Sequence, residues 1–173
     1  MSKSEIAPPL ILTLRMDEHS QEYFNVLRRK HFPKQRNYLL AHLTLFHHLK
    51  ENQQTIDAIR AIRSEIFDLQ FTGLKFLGGG VAYAAESEPL MKIRHQIADA
   101  LLDQLIPQDR QGYRPHITVQ NKVSFENAKA LFEELKATFR PISITAHGLD
   151  LWQYLGGPWR HHSHHPFQAK GKK

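Results

Sequence analysis

The sequence predicts an α+β fold in which two pseudo-symmetric strand–helix lobes face each other across a central cleft. Three observations predict it. Strand-like and helix-like stretches alternate along the whole chain. The tetrad His42-Leu43-Thr44-Leu45 returns as His116-Ile117-Thr118-Val119, 74 residues on. Each tetrad also holds the same place in its half, after a strand or hairpin and a helix, and before a second helix. A duplicated unit packed about a pseudo-twofold axis brings equivalent strands face to face, which sets His42 and His116 across one cleft. The chain is expected to be one domain, with lobes at residues 8–67 and 68–155 and a C-terminal hairpin and tail at 156–173.

In chain order, Pro8 and Pro9 lead into the apolar run Leu10–Leu14, a short buried strand. Asp17 is placed to cap a helix carrying Tyr23, Phe24 and Leu27 at helical spacing, and Pro33 marks its end. After the polar loop Lys34–Asn37 comes the first tetrad strand. A second helix sets Ile56, Ile59, Ile62 and Ile66 on one side, with Asp57, Arg60 and Arg63 towards water. Leu69 to Ala85 reads as a hairpin turning at Gly78-Gly79-Gly80. Ser87 caps a helix striped by Leu90, Ile93, Ile97, Leu101 and Leu105, which Pro107 stops. The second tetrad strand follows. Ser124 then caps a helix built on Phe125, Ala128, Leu131, Phe132, Leu135 and Phe139, closed by Pro141. A last strand alternates from Ile142 towards Tyr154, and Gly156-Gly157 turns it into a hairpin with Pro158–His161, the final eight or so residues being frayed.

Composition narrows the function classes. No cysteine occurs, which excludes disulfides, thiolate metal sites and cysteine nucleophiles. Met1–Pro9 has no long apolar run, so no signal peptide is expected, and no stretch approaches the ~20 residues of a membrane span. A cytoplasmic monomer without membrane contact is the expectation. The net charge of +6 includes Lys170, Lys172 and Lys173 of the tail. The remainder suits an anionic substrate but is modest for a protein gripping a long duplex.

Side chains alternate along a strand, so within each tetrad His and Thr share a face and the apolar residues between them take the other. Leu40, His42, Thr44 and Phe46 form one face, opposite Leu39, Ala41, Leu43 and Leu45; Arg114, His116, Thr118 and Gln120 form the corresponding face of the second strand. Two imidazoles suit phosphoester chemistry. One takes a proton from attacking water and the other gives one to the departing sugar oxygen, since a pKa near 6.5 leaves both protonation states accessible. Each Thr hydroxyl can donate to a phosphate oxygen.

Two His-x-Thr-x tetrads with apolar x, the second preceded by Arg114-Pro115, resemble the two-histidine (2H) phosphoesterase superfamily, and within it the bacterial 2'-5' RNA ligase group. The resemblance covers nearly the whole chain. It implies βαβ-type lobes with antiparallel sheets around a cleft, action on 2',3'-cyclic phosphates without metal or other cofactor, and RNA termini or small nucleotides as partners. By resemblance His116 is the general base, His42 the general acid, and Thr44 and Thr118 complete the catalytic set. Many members of the ligase group carry an arginine soon after the second tetrad; here stand Gln120, Asn121 and Lys122, with Lys122 the expected cation at the phosphate. Arg114, Tyr113, Phe46 and Tyr154 complete the expected substrate contacts.

Other features have plainer readings. His47 and His48 read as strand-end polar residues, and His161-His162-Ser163-His164-His165 as a solvated strand end in preference to a metal site. Trp152 and Trp159 can stack a base or pack in the core, and Arg160 can meet a flanking phosphate. Gly78-Gly79-Gly80 lacks the Lys-Ser/Thr pair of a phosphate-binding loop. The alternative function is a module that binds nucleotides or RNA ends without turnover.

Overall fold

The computed structural model describes residues 6–171. Seven strands form one antiparallel sheet: β1 (Leu10–Met16), β2 (Thr44–Leu49), β3 (Phe67–Phe76), β4 (Val81–Glu86), β5 (His116–Gln120), β6 (Ile142–Tyr154) and β7 (Trp159–Pro166). The helices are α1 (Glu18–His31), α2 (Gln53–Arg60), α3 (Glu88–Ala100), α4 (Pro107–Arg110) and α5 (Phe125–Thr138).

The strand order β2-β1-β6-β3-β4-β5 reads the same when β1 is exchanged for β4, β2 for β5 and β3 for β6. Each half is therefore strand, helix, strand, helix, strand. The third strand of each half pairs with the first strand of the other, β3 with β4 and β6 with β1, while β3 and β6 pair at the centre. The two expected lobes are thus joined through a single sheet. That sheet curls until its ends meet again, Leu43 just ahead of β2 bridging Ile117 of β5. β7 has no counterpart in the first half and pairs along the part of β6 that β3 leaves.

One face of the sheet is the core. Leu10, Leu12 and Leu14, Leu43 and Leu45, Tyr83 and Ala85, Ile117 and Val119, and Leu149 and Leu151 bury there with Phe24 of α1 and Leu90, Ile93 and Ile97 of α3. Phe24 sits between Phe71 at 4.9 Å and Tyr83 at 5.5 Å. Asp17, Ser87 and Ser124 cap α1, α3 and α5 as the sequence predicts, each accepting a backbone N–H three residues on.

Several boundaries differ from expectation. α2 ends at Arg60, so Ile62 and Ile66 reach the core from outside the helix. α3 ends at Ala100, and Leu101 and Leu105 are buried from a 3-10 turn and the extended chain beyond it. Pro107 opens α4 instead of stopping α3, because a first helical turn leaves its N–H positions unpaired anyway and proline lacks only that group. The tail is not frayed through its length: Phe167 is buried with its N–H on the His147 carbonyl at 2.8 Å, and the Gln168 N–H reaches Ser64 at 2.9 Å. The expectations for residues 1–5, Lys172 and Lys173 lie outside the described residues. Among the described residues no helix is long and apolar enough to cross a membrane.

Candidate active site

The first tetrad begins ahead of its strand. Residues 38–42 have no ladder partner, and α1 supplies their hydrogen bonds instead. Asn25 Oδ1 accepts the Ala41 N–H at 2.9 Å, Gln21 Nε2 donates to the Ala41 carbonyl at 2.7 Å, and Arg28 Nε donates to Asn37 Oδ1 at 2.8 Å and the Leu39 carbonyl at 3.1 Å. Arg28 Nη1 reaches on to the carbonyl of Thr118 at 3.2 Å, so one buried guanidinium ties the segment leading into the first tetrad, and the second tetrad itself, to one helix. Burial pushes that guanidinium down to about 10. From the other half, Arg94 of α3 donates to the Leu45 carbonyl at 2.8 Å and stacks 3.8 Å over Phe46.

The Leu43–Ile117 bridge fixes the rest. It is antiparallel, so it sets His42 beside Thr118 and Thr44 beside His116, with the two histidines on a diagonal. Diagonal neighbours of this kind stand about 7–8 Å apart. Leu43 and Ile117 both point into the core, which turns His42, Thr44, His116 and Thr118 to the opposite face.

The two imidazoles are held alike. His42 Nδ1 lies 2.8 Å from the Leu40 carbonyl and His116 Nδ1 lies 2.8 Å from the Arg114 carbonyl. A carbonyl only accepts, so each ring carries its proton on Nδ1 when neutral and leaves Nε2 as the lone-pair nitrogen. Burial pushes His42 down to about 4 against the pull of the Leu40 carbonyl, with Arg28, His47 and His116 adding to the fall. Burial also lowers His116, again against its carbonyl, helped by Lys75 and His47.

Around these groups the cleft has two unlike sides. Beside His116 the floor is small, Ala84 pairing with His116, Ala82 with Thr118, and Gly73 with Ala84. Lys75 pairs with Ala82 in the row of Thr118, next to that of His116, and a hollow of about 550 Å³ is lined by Lys75, Arg114, Tyr113, Glu86 and Glu88. Beside His42 a cavity of about 890 Å³ opens between Thr13, Arg15, Asp150, Trp152, Trp159 and Tyr38. Asp150 is nearly inaccessible, takes both arms of Arg15 at 2.8 Å and accepts from His161 Nε2 at 2.8 Å.

The other expected residues divide. Phe46 is a correction: it is wholly buried in the core, because β2 bulges against β1. Leu12 pairs with Phe46 and Thr13 with Thr44, so Leu45 is the extra residue and the alternation that put Phe46 beside His42 is broken there. Tyr113 spans the lobes, its hydroxyl donating to the Thr44 carbonyl at 2.9 Å, and burial raises that hydroxyl. Arg114 is exposed at the rim of the smaller hollow. Lys122 stands exposed in the turn after β5 with φ of 64°, and Tyr154 stands exposed at the end of β6; neither lines either of the two cavities beside the tetrads. Arg160 is held by Gln153. His47 and His48 offer backbone N–H groups to buried Asp109. In the histidine tract, His161 binds Asp150, His162 meets Glu51 at 3.2 Å, and His165 pairs with Ser163 at 3.0 Å. Among the described residues no three histidine or carboxylate side chains gather as metal ligands.

Lys75, Arg28, Arg94 and Asp150 escaped the sequence reading. Lys75 reaches the site only through a cross-strand row, after a register shift between Phe71 and Gly73. The arginines look like solvated helix residues until the helix is docked. Only the parity of Asp150 with Trp152 could have pointed to that carboxylate.

This arrangement can be compared with known proteins. The family model of the 2'-5' RNA ligase superfamily matches residues 16–158. A search of curated proteins by sequence finds no match. Among solved structures, E. coli LigT complexed with 3'-AMP is 17% identical, covers 93% of this chain and 98% of its own, and superposes with a TM-score of 0.60. TT0787 of Thermus thermophilus is 14% identical over 94% of this chain and all of its own, with a TM-score of 0.67. E. coli LigT has also been solved with NADP+, at 18% identity, 93% of this chain, 98% of its own and a TM-score of 0.60. These structures share the curled antiparallel fold. Matched over most of its length by the family model, the chain belongs to the 2'-5' RNA ligase superfamily.

Proposed function

We propose that the chain is a metal-independent phosphodiesterase that opens 2',3'-cyclic phosphates on RNA ends or small nucleotides, with reversible 2'-5' ligation when a 5'-hydroxyl takes the place of water as the nucleophile. The observation that supports this most is the shared face around the Leu43–Ile117 bridge, where two imidazoles with committed Nδ1 and two hydroxyls meet. His116 Nε2 takes a proton from water as the water oxygen bonds to phosphorus. The bond from phosphorus to one ribose oxygen breaks, and His42 Nε2 gives its proton to that oxygen. Thr44 and Thr118 donate to the non-bridging oxygens, where charge develops. Arg114 and Lys75 stand on the His116 side as cations for the phosphate or its neighbour; Lys122 completes the set only by movement of its turn. The same reading expects a cytoplasmic monomer.

Hydrolysis of a short RNA ending in a 2',3'-cyclic phosphate, with EDTA present, tests the proposal. Wild type should turn over with a bell-shaped pH profile. His42→Ala and His116→Ala, folded by circular dichroism, should each lose about 10²–10⁴-fold. Tight binding of that RNA without turnover establishes the binding module instead, and activity that zinc restores after EDTA overturns the mechanism.

A further inference from the structure

Both tryptophans of the chain stand on one wall of the cleft. We infer that this wall is a nucleobase site: the base of the nucleotide whose phosphate lies between the tetrads stacks on Trp159 and Trp152 in the cavity beside His42. The inference rests on the phosphoester reading above and deepens it, naming a nucleoside as the group carried on the His42 side.

The pseudo-twofold symmetry that sets the two tetrads alike ends a few ångströms from them. On the His116 side the floor is Gly73, Ala82 and Ala84. On the His42 side the strand without a counterpart, β7, brings Trp159 to 4.5 Å from the His42 ring, and Trp152 lies 6.1 Å behind it. Trp152 is fixed in place, its Nε1–H donating to Thr13 Oγ1 at 2.9 Å and its ring meeting His161 at 4.9 Å. Tyr38, 63% exposed, stands at the rim against Gly157 of the β6–β7 turn. A cavity of about 890 Å³ lies within the usual range for small-molecule sites.

Charge selects what can enter. The cavity is lined by Asp17, Glu18, Glu22 and Asp150 against one arginine, Arg15, whose guanidinium is already committed to Asp150. A phosphate chain finds no uncommitted arginine or lysine there, whereas an uncharged aromatic ring finds two indoles. Stacking on such rings accepts any base, because every base has a π-face. A base on this side also brings the ribose oxygens of the same nucleotide towards His42, where the general acid of the proposed hydrolysis stands.

Two measurements test the site. The first compares adenosine 2',3'-cyclic phosphate with glycerol 1,2-cyclic phosphate, which carries the same ring ester without a base, in wild type and in Trp159→Leu. The ratio of kcat/KM for the nucleotide to that for the glycerol ester should fall about tenfold or more in the variant. An equal loss on both substrates would make Trp159 a support for His42 alone and overturn the inference. The second is a titration of intrinsic tryptophan fluorescence in wild type and Trp152→Phe with adenosine 2'-monophosphate and with glycerol phosphate. Since the only two indoles are on this wall, saturable quenching by the nucleotide and not by glycerol phosphate supports the site even if neither ester is hydrolysed. Equal quenching by both, or by neither, overturns it.

Discussion

His42 and His116 each commit Nδ1–H to the carbonyl two residues upstream, so protonation adds charge at Nε2, inside a partly buried cleft. Burial disfavours that charge and lowers both groups, His42 to about 4. The proposed acid must be protonated while the base is neutral, so both limbs of the kcat/KM profile should fall below the ordinary imidazole value. The optimum is expected below pH 6.5, and the kcat profile should shift upwards, because a bound phosphate anion favours the imidazolium; initial rates across pH 4–9 check both. The same groups act on stability. A histidine whose folded pKa is depressed binds fewer protons than the unfolded chain between about 4 and 6.5, so stability rises with pH through that window and is lost as pH falls through it. For His42 the loss is at most about 3 kcal/mol, levelling below pH 4. Urea unfolding of His42→Ala between pH 4 and 7 should show a shallower slope with pH than wild type. At this scale the sequence was informative, since the alternation of two His-x-Thr-x tetrads settles which side chains share a face. The fixed tautomer was not legible, because it depends on where the chain turns at Leu40 and Arg114.

The segment from Tyr38 to His42 shows what an element must supply when no ladder is present. Its backbone has no strand partner, and Gln21, Asn25 and Arg28 on one face of α1 stand in for a neighbouring strand. Asn25→Ala would leave the buried Ala41 N–H without its acceptor, at a cost of about 1–3 kcal/mol. Hydrogen exchange should then find the Ala41 amide protected in wild type and fast in the variant, with activity falling as His42 loses its placement. The polar face of α1 carries no sign of this in the sequence, because Gln21, Asn25 and Arg28 have the spacing of any solvated helix face. Caps were legible, since Asp17, Ser87 and Ser124 act within one turn. Bulges were not. The doubled apolar pair Leu45-Phe46 is compatible with an end of alternation or with a bulge, and only the pairing with β1 decides that Phe46 joins the core. Lys75 was hidden for a similar reason, its place beside His116 arising from a register shift two strands away.

Across the whole molecule the halves are legible as a repeat but not as an exchange. Order of elements gives two equivalent tetrads; it does not say that β3 and β6 each lie between the two halves' first strands, joining one sheet. That exchange decides how the molecule holds together. Without the second half, β3 has neither of its partners, β4 and β6, and β1 keeps only β2. Arg28 would lose the Thr118 carbonyl and Arg94 the Leu45 carbonyl and the Phe46 ring, each a partner from the other half, leaving two buried guanidinium groups only partly compensated. Neither half should therefore fold alone. Fragments ending and beginning at the Gly78-Gly79 turn, where φ of Gly78 is 81° and both residues are partly exposed, provide the test. Each fragment by itself should show no cooperative thermal transition, and an equimolar mixture should regain one, together with any phosphodiesterase activity of the intact chain. The intact chain should unfold in a single transition, with tryptophan fluorescence, which reports the wall beside His42, coinciding with far-ultraviolet circular dichroism. Two separated transitions would mean that the lobes are independent bodies and that the shared sheet does not couple them.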